Sequence, residues 1–65
     1  MDAKTIGKRL TELRGEKTQE EVAKACDISS SAISMYENGD RIPRDEIKRK
    51  LANYFNVSVE SLFFN

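Results

Sequence analysis

Few side chains in this sequence could carry out covalent chemistry. There is no His, and Cys26 is the single Cys. Without a second Cys no internal disulfide can form, and without His no plausible zinc set can be assembled. Missing His also removes the usual general base near neutral pH, and no nucleophile–base pair stands in for it. A chain of 65 residues has little room for a substrate cavity. The reading is therefore not an enzyme, with no cofactor and no metal. What remains is recognition chemistry, carried by hydroxyls, amides and cationic groups. One such cluster is the hydroxyl run Ser29, Ser30 and Ser31, followed by Ser34 and the thioether of Met35.

The length implies one domain, residues 1–65, because so short a chain cannot build two independent cores. Lys and Arg together number 11, as do Asp and Glu, so the formal net charge is zero. A strongly basic balance would favour a nucleic-acid partner, and this sum is neutral on the point. Distribution says more. Lys4, Lys8, Arg9 and Arg14 crowd the first segment, Lys48, Arg49 and Lys50 form a later run, and Glu12, Glu16, Glu20 and Glu21 sit between. The later run reads as a solvated helix face. No apolar run approaches a membrane span, and the start Met1-Asp2-Ala3-Lys4-Thr5 lacks the apolar centre of a signal peptide. The expectation is a soluble protein of the reducing cytoplasm, without a membrane partner.

The elements that must position the hydroxyl cluster are helices. Ile6, Leu10 and Leu13 recur at i, i+4, i+7, with Thr5 read as N-cap and Gly15 as the stop. Thr18-Gln19-Glu20-Glu21 is a capping box opening a second helix, whose inward face is Val22, Ala23 and Cys26. Cys26 is thus a small buried residue and not a redox switch. Ser29 caps a third helix carrying Ala32, Ile33 and Tyr36 and ending at Asn38-Gly39. After the turn Asp40-Arg41-Ile42-Pro43, a fourth helix buries Ile47, Leu51, Ala52 and Phe55, with Asn56 as a left-handed end. Val57 packs inward, and Ser58 caps a last helix with Val59, Leu62 and Phe63. No strand pattern or repeat appears. The fold class is all-α, five short helices in one compact domain.

The second and third helices carry a more specific pattern. A helix-turn-helix packs two helices at a wide angle through a short turn. It needs a small residue where they meet (Ala23), an apolar one leaving the turn (Ile28) and an inward β-branched one on the second helix (Ile33). That leaves Ser30, Ser31, Ser34 and Met35 on the outward side, free to face a groove. With Gln19, Val22-Ala23, Ile28-Ser29, Ile33, Tyr36-Glu37-Asn38-Gly39, Pro43, Leu51-Ala52 and Val57-Ser58, the chain resembles the Cro/C1-type (Xre) helix-turn-helix family of phage and bacterial regulators. The resemblance runs from about Ile6 to Phe63, with the helix-turn-helix at about 18–38.

That resemblance implies a lambda-repressor-like fold whose third helix enters the major groove of double-stranded DNA. It assigns base-edge contacts to Ser30, Ser31, Ser34 and Met35, and phosphate contacts to Lys17, Thr18, Gln19, Ser29, Asn38 and Arg41. Arg14 and Glu37 become a structural ion pair bracing the first helix against the third. The chain departs from the pattern in three ways. The stretch from Arg14 to Gln19 is shorter than in most relatives, and Asp27 stands where Gly is usual. The outward face of the third helix carries no Arg, Lys, Gln or Asn before Asn38, so the bidentate pairs that best discriminate bases are absent.

The implied function is a sequence-specific transcriptional regulator, a repressor on a palindromic operator. Leu62, Phe63 and Phe64 are assigned to a two-fold homodimer contact, because a small core can take two of them and leave one at the surface. Two recognition helices would then lie one DNA turn apart, roughly 34 Å. The competing reading keeps the helix-turn-helix scaffold but binds a protein, in the manner of an antitoxin or a partner of another regulator. Neutral charge and the cation-free third helix favour it. RNA binding lacks the exposed aromatics that stack bases.

Overall fold

In the computed structural model, which describes residues 2–64, five helices follow in order: α1 (Ala3–Arg14), α2 (Gln19–Ala25), α3 (Ser30–Glu37), α4 (Asp45–Phe55) and α5 (Glu60–Phe64), the last a single wide π-type turn. Among the described residues there is no strand, and no helix is long and apolar enough to cross a membrane.

Helix starts follow local side-chain chemistry. The capping box at Thr18 is complete, with Glu21 N–H donating to Thr18 Oγ1 at 3.0 Å and Thr18 N–H to Glu21 Oε1 at 3.2 Å. Ser29 caps α3, accepting from Ala32 N–H at 3.1 Å, and Ser58 Oγ accepts from Ser61 N–H at 3.0 Å to open the last turn. At α1 the sequence reading was displaced. Asp2, not Thr5, is the N-cap, its carboxylate accepting from Thr5 N–H at 2.8 Å. Hydrogen bonds from Thr5 hold that carboxyl below its ordinary range. Both residues are good caps, and the helix takes the earlier one because Ala3 and Lys4 propagate well.

Three helices end alike. Ile28 N–H reaches Ala23 C=O at 2.9 Å, Asp40 N–H reaches Met35 C=O at 2.9 Å, and Val57 N–H reaches Ala52 C=O at 3.0 Å. Each is the long bond of a Schellman motif, with a left-handed residue inside it: Asp27 and Asn56, both at φ 58°, and Gly39 at φ 77°. Asp27 therefore takes the conformation usually given to Gly, and the helix-turn-helix turn is intact.

Ile6, Leu10, Val22, Ala23, Cys26, Ile33, Tyr36, Leu51, Ala52, Leu62 and Phe63 form one buried cluster. Phe55 packs at its margin, its ring edge-on to Tyr54 at 5.0 Å between centroids. Leu13, on the same stripe of α1 as Ile6 and Leu10, is 38% exposed. It borders an open groove with Arg9, Val57 and Leu62. Two further readings are corrected. Leu62 and Phe63 are each 2% exposed and fill the core of the single chain, so of the assigned dimer residues only Phe64, 61% exposed, stands at the surface. Lys48 is not a solvated residue either. Its side chain is 13% exposed, with the ammonium 4.7 Å from the Phe64 ring centroid and 5.8 Å from that of Phe63.

α1 lies against the C-terminal end of α3, closest at Gly7. A Cβ built on Gly7 would fall 2.3 Å from the Glu37 carbonyl oxygen and 2.7 Å from that of Tyr36. Any side chain there would push α1 off the C-terminal end of α3. Arg9 secures the other side of α1, its Nη1 donating to Ser61 C=O at 2.6 Å.

Candidate nucleic-acid interface

Of the four residues assigned to base edges, Ser30 and Ser31 are exposed on the first turn of α3 and make no side-chain hydrogen bond among the described residues. Ser34 and Met35 are half-buried one turn later, and Ser34 Oγ accepts weakly from Asn38 Nδ2 at 3.4 Å. The opposite side of α3 is spent on Ile33 and Tyr36 in the core. The helix thus presents short hydroxyls and one thioether outward and anchors its apolar side inward. Such a surface is flat enough to approach a partner closely, and it can donate or accept through each Ser.

The residues assigned to phosphate divide into two groups. Gln19 and Asn38 are gathered at the C-terminal half of α3. Gln19 Nε2 donates to Glu37 Oε1 at 3.0 Å, and Asn38 follows Glu37 directly and reaches back to Ser34. Arg41 is exposed in the following loop and forms no ion pair among the described residues. Thr18 and Ser29 are engaged as caps, each through its own hydroxyl oxygen. Lys17 points elsewhere: its ammonium lies 5.0 Å from the centroid of the Tyr54 ring on α4, outside the helix-turn-helix. Glu20 and Glu21 occupy the first turn of α2 and offset the positive end of that short helix.

The Arg14–Glu37 pair is present and bidentate. Arg14 Nε donates to Glu37 Oε2 at 2.6 Å and Nη2 to Oε1 at 3.1 Å, with the two side chains 20% and 6% exposed. Arg14 Nη1 donates in addition to Lys17 C=O at 2.6 Å, while Lys17 N–H bonds Arg14 C=O at 3.1 Å. This is how the shortened α1–α2 connection is held: the guanidinium fork spans it. The bond to Glu37 holds the Arg14 guanidinium more firmly protonated than usual.

Two cations beside α3 escaped the sequence reading. The stem of Lys4 lies against Gly39, so that a Cβ built on Gly39 would come 3.1 Å from Lys4 Cγ. Nothing in the sequence pairs positions that far apart. Arg44, the exposed N-cap of α4, makes no cap hydrogen bond and shares with Arg41 a cleft of about 310 Å³ that also borders Tyr36, Ile42 and Ile47. Its spacing of three from Arg41 was the only available signal. Neither Lys4 nor Arg44 has a carboxylate partner among the described residues.

Comparison with known proteins agrees with this geometry. A helix-turn-helix family model matches residues 4–62. The chain is 38% identical over 60 residues to the HTH-type transcriptional regulator ImmR of Bacillus subtilis, a match covering 89% of this chain and 47% of that protein. The chain thus spans about half the length of ImmR. It is also 38% identical over 64 residues to the uncharacterized HTH-type transcriptional regulator YazB of the same organism, covering 95% of this chain and 93% of YazB. The all-helical architecture, the intact turn at Asp27 and these matches together place the chain in the Cro/C1-type helix-turn-helix family of DNA-binding transcriptional regulators.

Proposed function

We propose that this protein is a sequence-specific, double-stranded DNA-binding repressor that works in the cytoplasm as a homodimer on a palindromic operator. The observation that carries the reading is the exposed pair Ser30 and Ser31, without side-chain hydrogen bonds among the described residues, on a helix whose far side is anchored in the core. In the major groove these hydroxyls, with Ser34, contact base edges, and Met35 meets a thymine methyl. Gln19, Asn38 and Arg41 contact phosphate, joined by Lys4 and Arg44, which flank the same helix. Thr18 and Ser29 contribute from the two cap positions. Lys17 takes part only if it leaves Tyr54. Phe64 contributes the exposed apolar contact of the dimer.

Electrostatics set the character of the binding. Few cations face the DNA and Glu20 and Glu21 lie close by, so a single domain binds weakly at physiological salt. Hydroxyls discriminate bases poorly, which leaves much of the specificity to dimer spacing and operator shape. A protein-binding role on the same scaffold is favoured by one observation, the absence of any Lys or Arg on α3. The two readings separate on Ser31→Arg. A groove-facing arginine introduces a bidentate guanine contact worth about 1–3 kcal/mol and changes which duplexes are preferred. If that variant and the native protein rank a panel of duplexes identically, position 31 does not face bases.

A further inference from the structure

The carboxylate of Glu37 closes the C-terminal turn of α3 and is 6% exposed. Three donors surround it: Arg14 Nε at 2.6 Å, Arg14 Nη2 at 3.1 Å and Gln19 Nε2 at 3.0 Å. An ionised carboxylate only accepts, so it can engage the Gln19 amide solely through the NH₂ side and thereby decides which way that amide is turned. The amide nitrogen carries two N–H groups, and only one goes to Glu37. Arg14 fixes the carboxylate through its planar fork and also holds Lys17 C=O, two residues before Gln19. A free glutamine would lose rotamer freedom on contacting a ligand, whereas here that ordering is already present in the free protein.

We propose that Glu37 is a positioning residue for DNA, holding the Gln19 amide so that its second N–H is offered to a backbone phosphate. Arg14 acts one step further back, and the three side chains link α1, α2 and α3 to a single phosphate contact. The proposal rests on the phosphate role of Gln19 given above. It goes beyond a bracing ion pair, which would hold α1 on α3 whatever Gln19 did.

The experiment has two arms. Side-chain ¹⁵N relaxation of the Gln19 amide is measured in the free protein and in Glu37→Met. Fluorescence anisotropy with a short mixed-sequence duplex at low salt is measured for the native protein, Gln19→Ala, Glu37→Met and the double variant. The amide is expected to be rigid in the native protein and mobile in Glu37→Met. Gln19→Ala is expected to weaken binding about tenfold in the native background, but less than about twofold when Glu37→Met is already present. A mobile amide in the native protein, or an equal penalty in both backgrounds, overturns the positioning role. A rigid amide together with no penalty for Gln19→Ala shows that the phosphate reading itself fails, and the proposal with it. If Glu37→Met lowers the folded fraction, Arg14→Met/Glu37→Met takes its place, since it leaves no unpaired charge.

Discussion

At the scale of single residues, Glu37 and Cys26 show opposite ways of filling a small interior. Glu37 is an ion kept nearly buried because Arg14 and Gln19 satisfy both its oxygens. Cys26 is neutral, 3% exposed, and held by a weak bond from its Sγ to Lys50 C=O at 3.8 Å. Burial pushes the Cys26 thiol above its ordinary value near 9.0. As pH rises the unfolded thiol ionises first, so above that value the unfolded state has lost a proton that the native state keeps, and stability falls. Thermal unfolding followed from neutral to alkaline pH should therefore decline more steeply for the native protein than for Cys26→Ala. The difference in slope reaches at most about 1.4 kcal/mol per pH unit. Parallel curves would mean that the thiol is solvated when folded.

At the scale of elements, what the sequence disclosed was local. The Thr18 capping box, the Ser29 cap and the left-handed ends at Asp27 and Asn56 are each decided within a few residues, and each stands where its side-chain chemistry put it. The exchange of Thr5 for Asp2 is a choice between adjacent caps of similar strength. What sequence reasoning could not see is contact between distant positions: Gly7 under the carbonyls of α3, Lys4 on Gly39, Lys17 over Tyr54 and Lys48 under Phe64. Gly7 matters most, because it fixes how closely α1 lies on α3 and hence the attitude of the outward serines. Gly7→Ala gains helix propensity of up to about 1 kcal/mol. The added Cβ would also collide with the carbonyl oxygens of Tyr36 and Glu37, where overpacking costs about 1–3 kcal/mol. The expected result is a lower midpoint in urea, with DNA binding reduced by more than the loss of folded protein accounts for. A variant as stable as the native protein, with full DNA binding, would show that α1 does not orient α3.

At the scale of the whole molecule the question is how a neutral domain with principal extents of 26 × 22 × 21 Å acquires specificity for DNA. Under the proposed dimer, specificity comes from duplication, with Phe64 supplying the contact between copies once Leu62 and Phe63 are committed to the core. Phe64→Glu should convert a dimer to a monomer in sedimentation at high micromolar concentration while each chain keeps its helical fold, since the ring is already 61% exposed. A native protein that is monomeric at that concentration would remove Phe64 from the account. The most direct test of DNA recognition is selection from a randomised duplex library, with the winning duplex titrated at low and at moderate salt. The expected result is a palindromic consensus with half-sites about one helical turn apart and affinity that falls steeply as salt rises. No enrichment, with weak binding to every duplex alike, would contradict it and leave the outward serines of α3 to a protein partner.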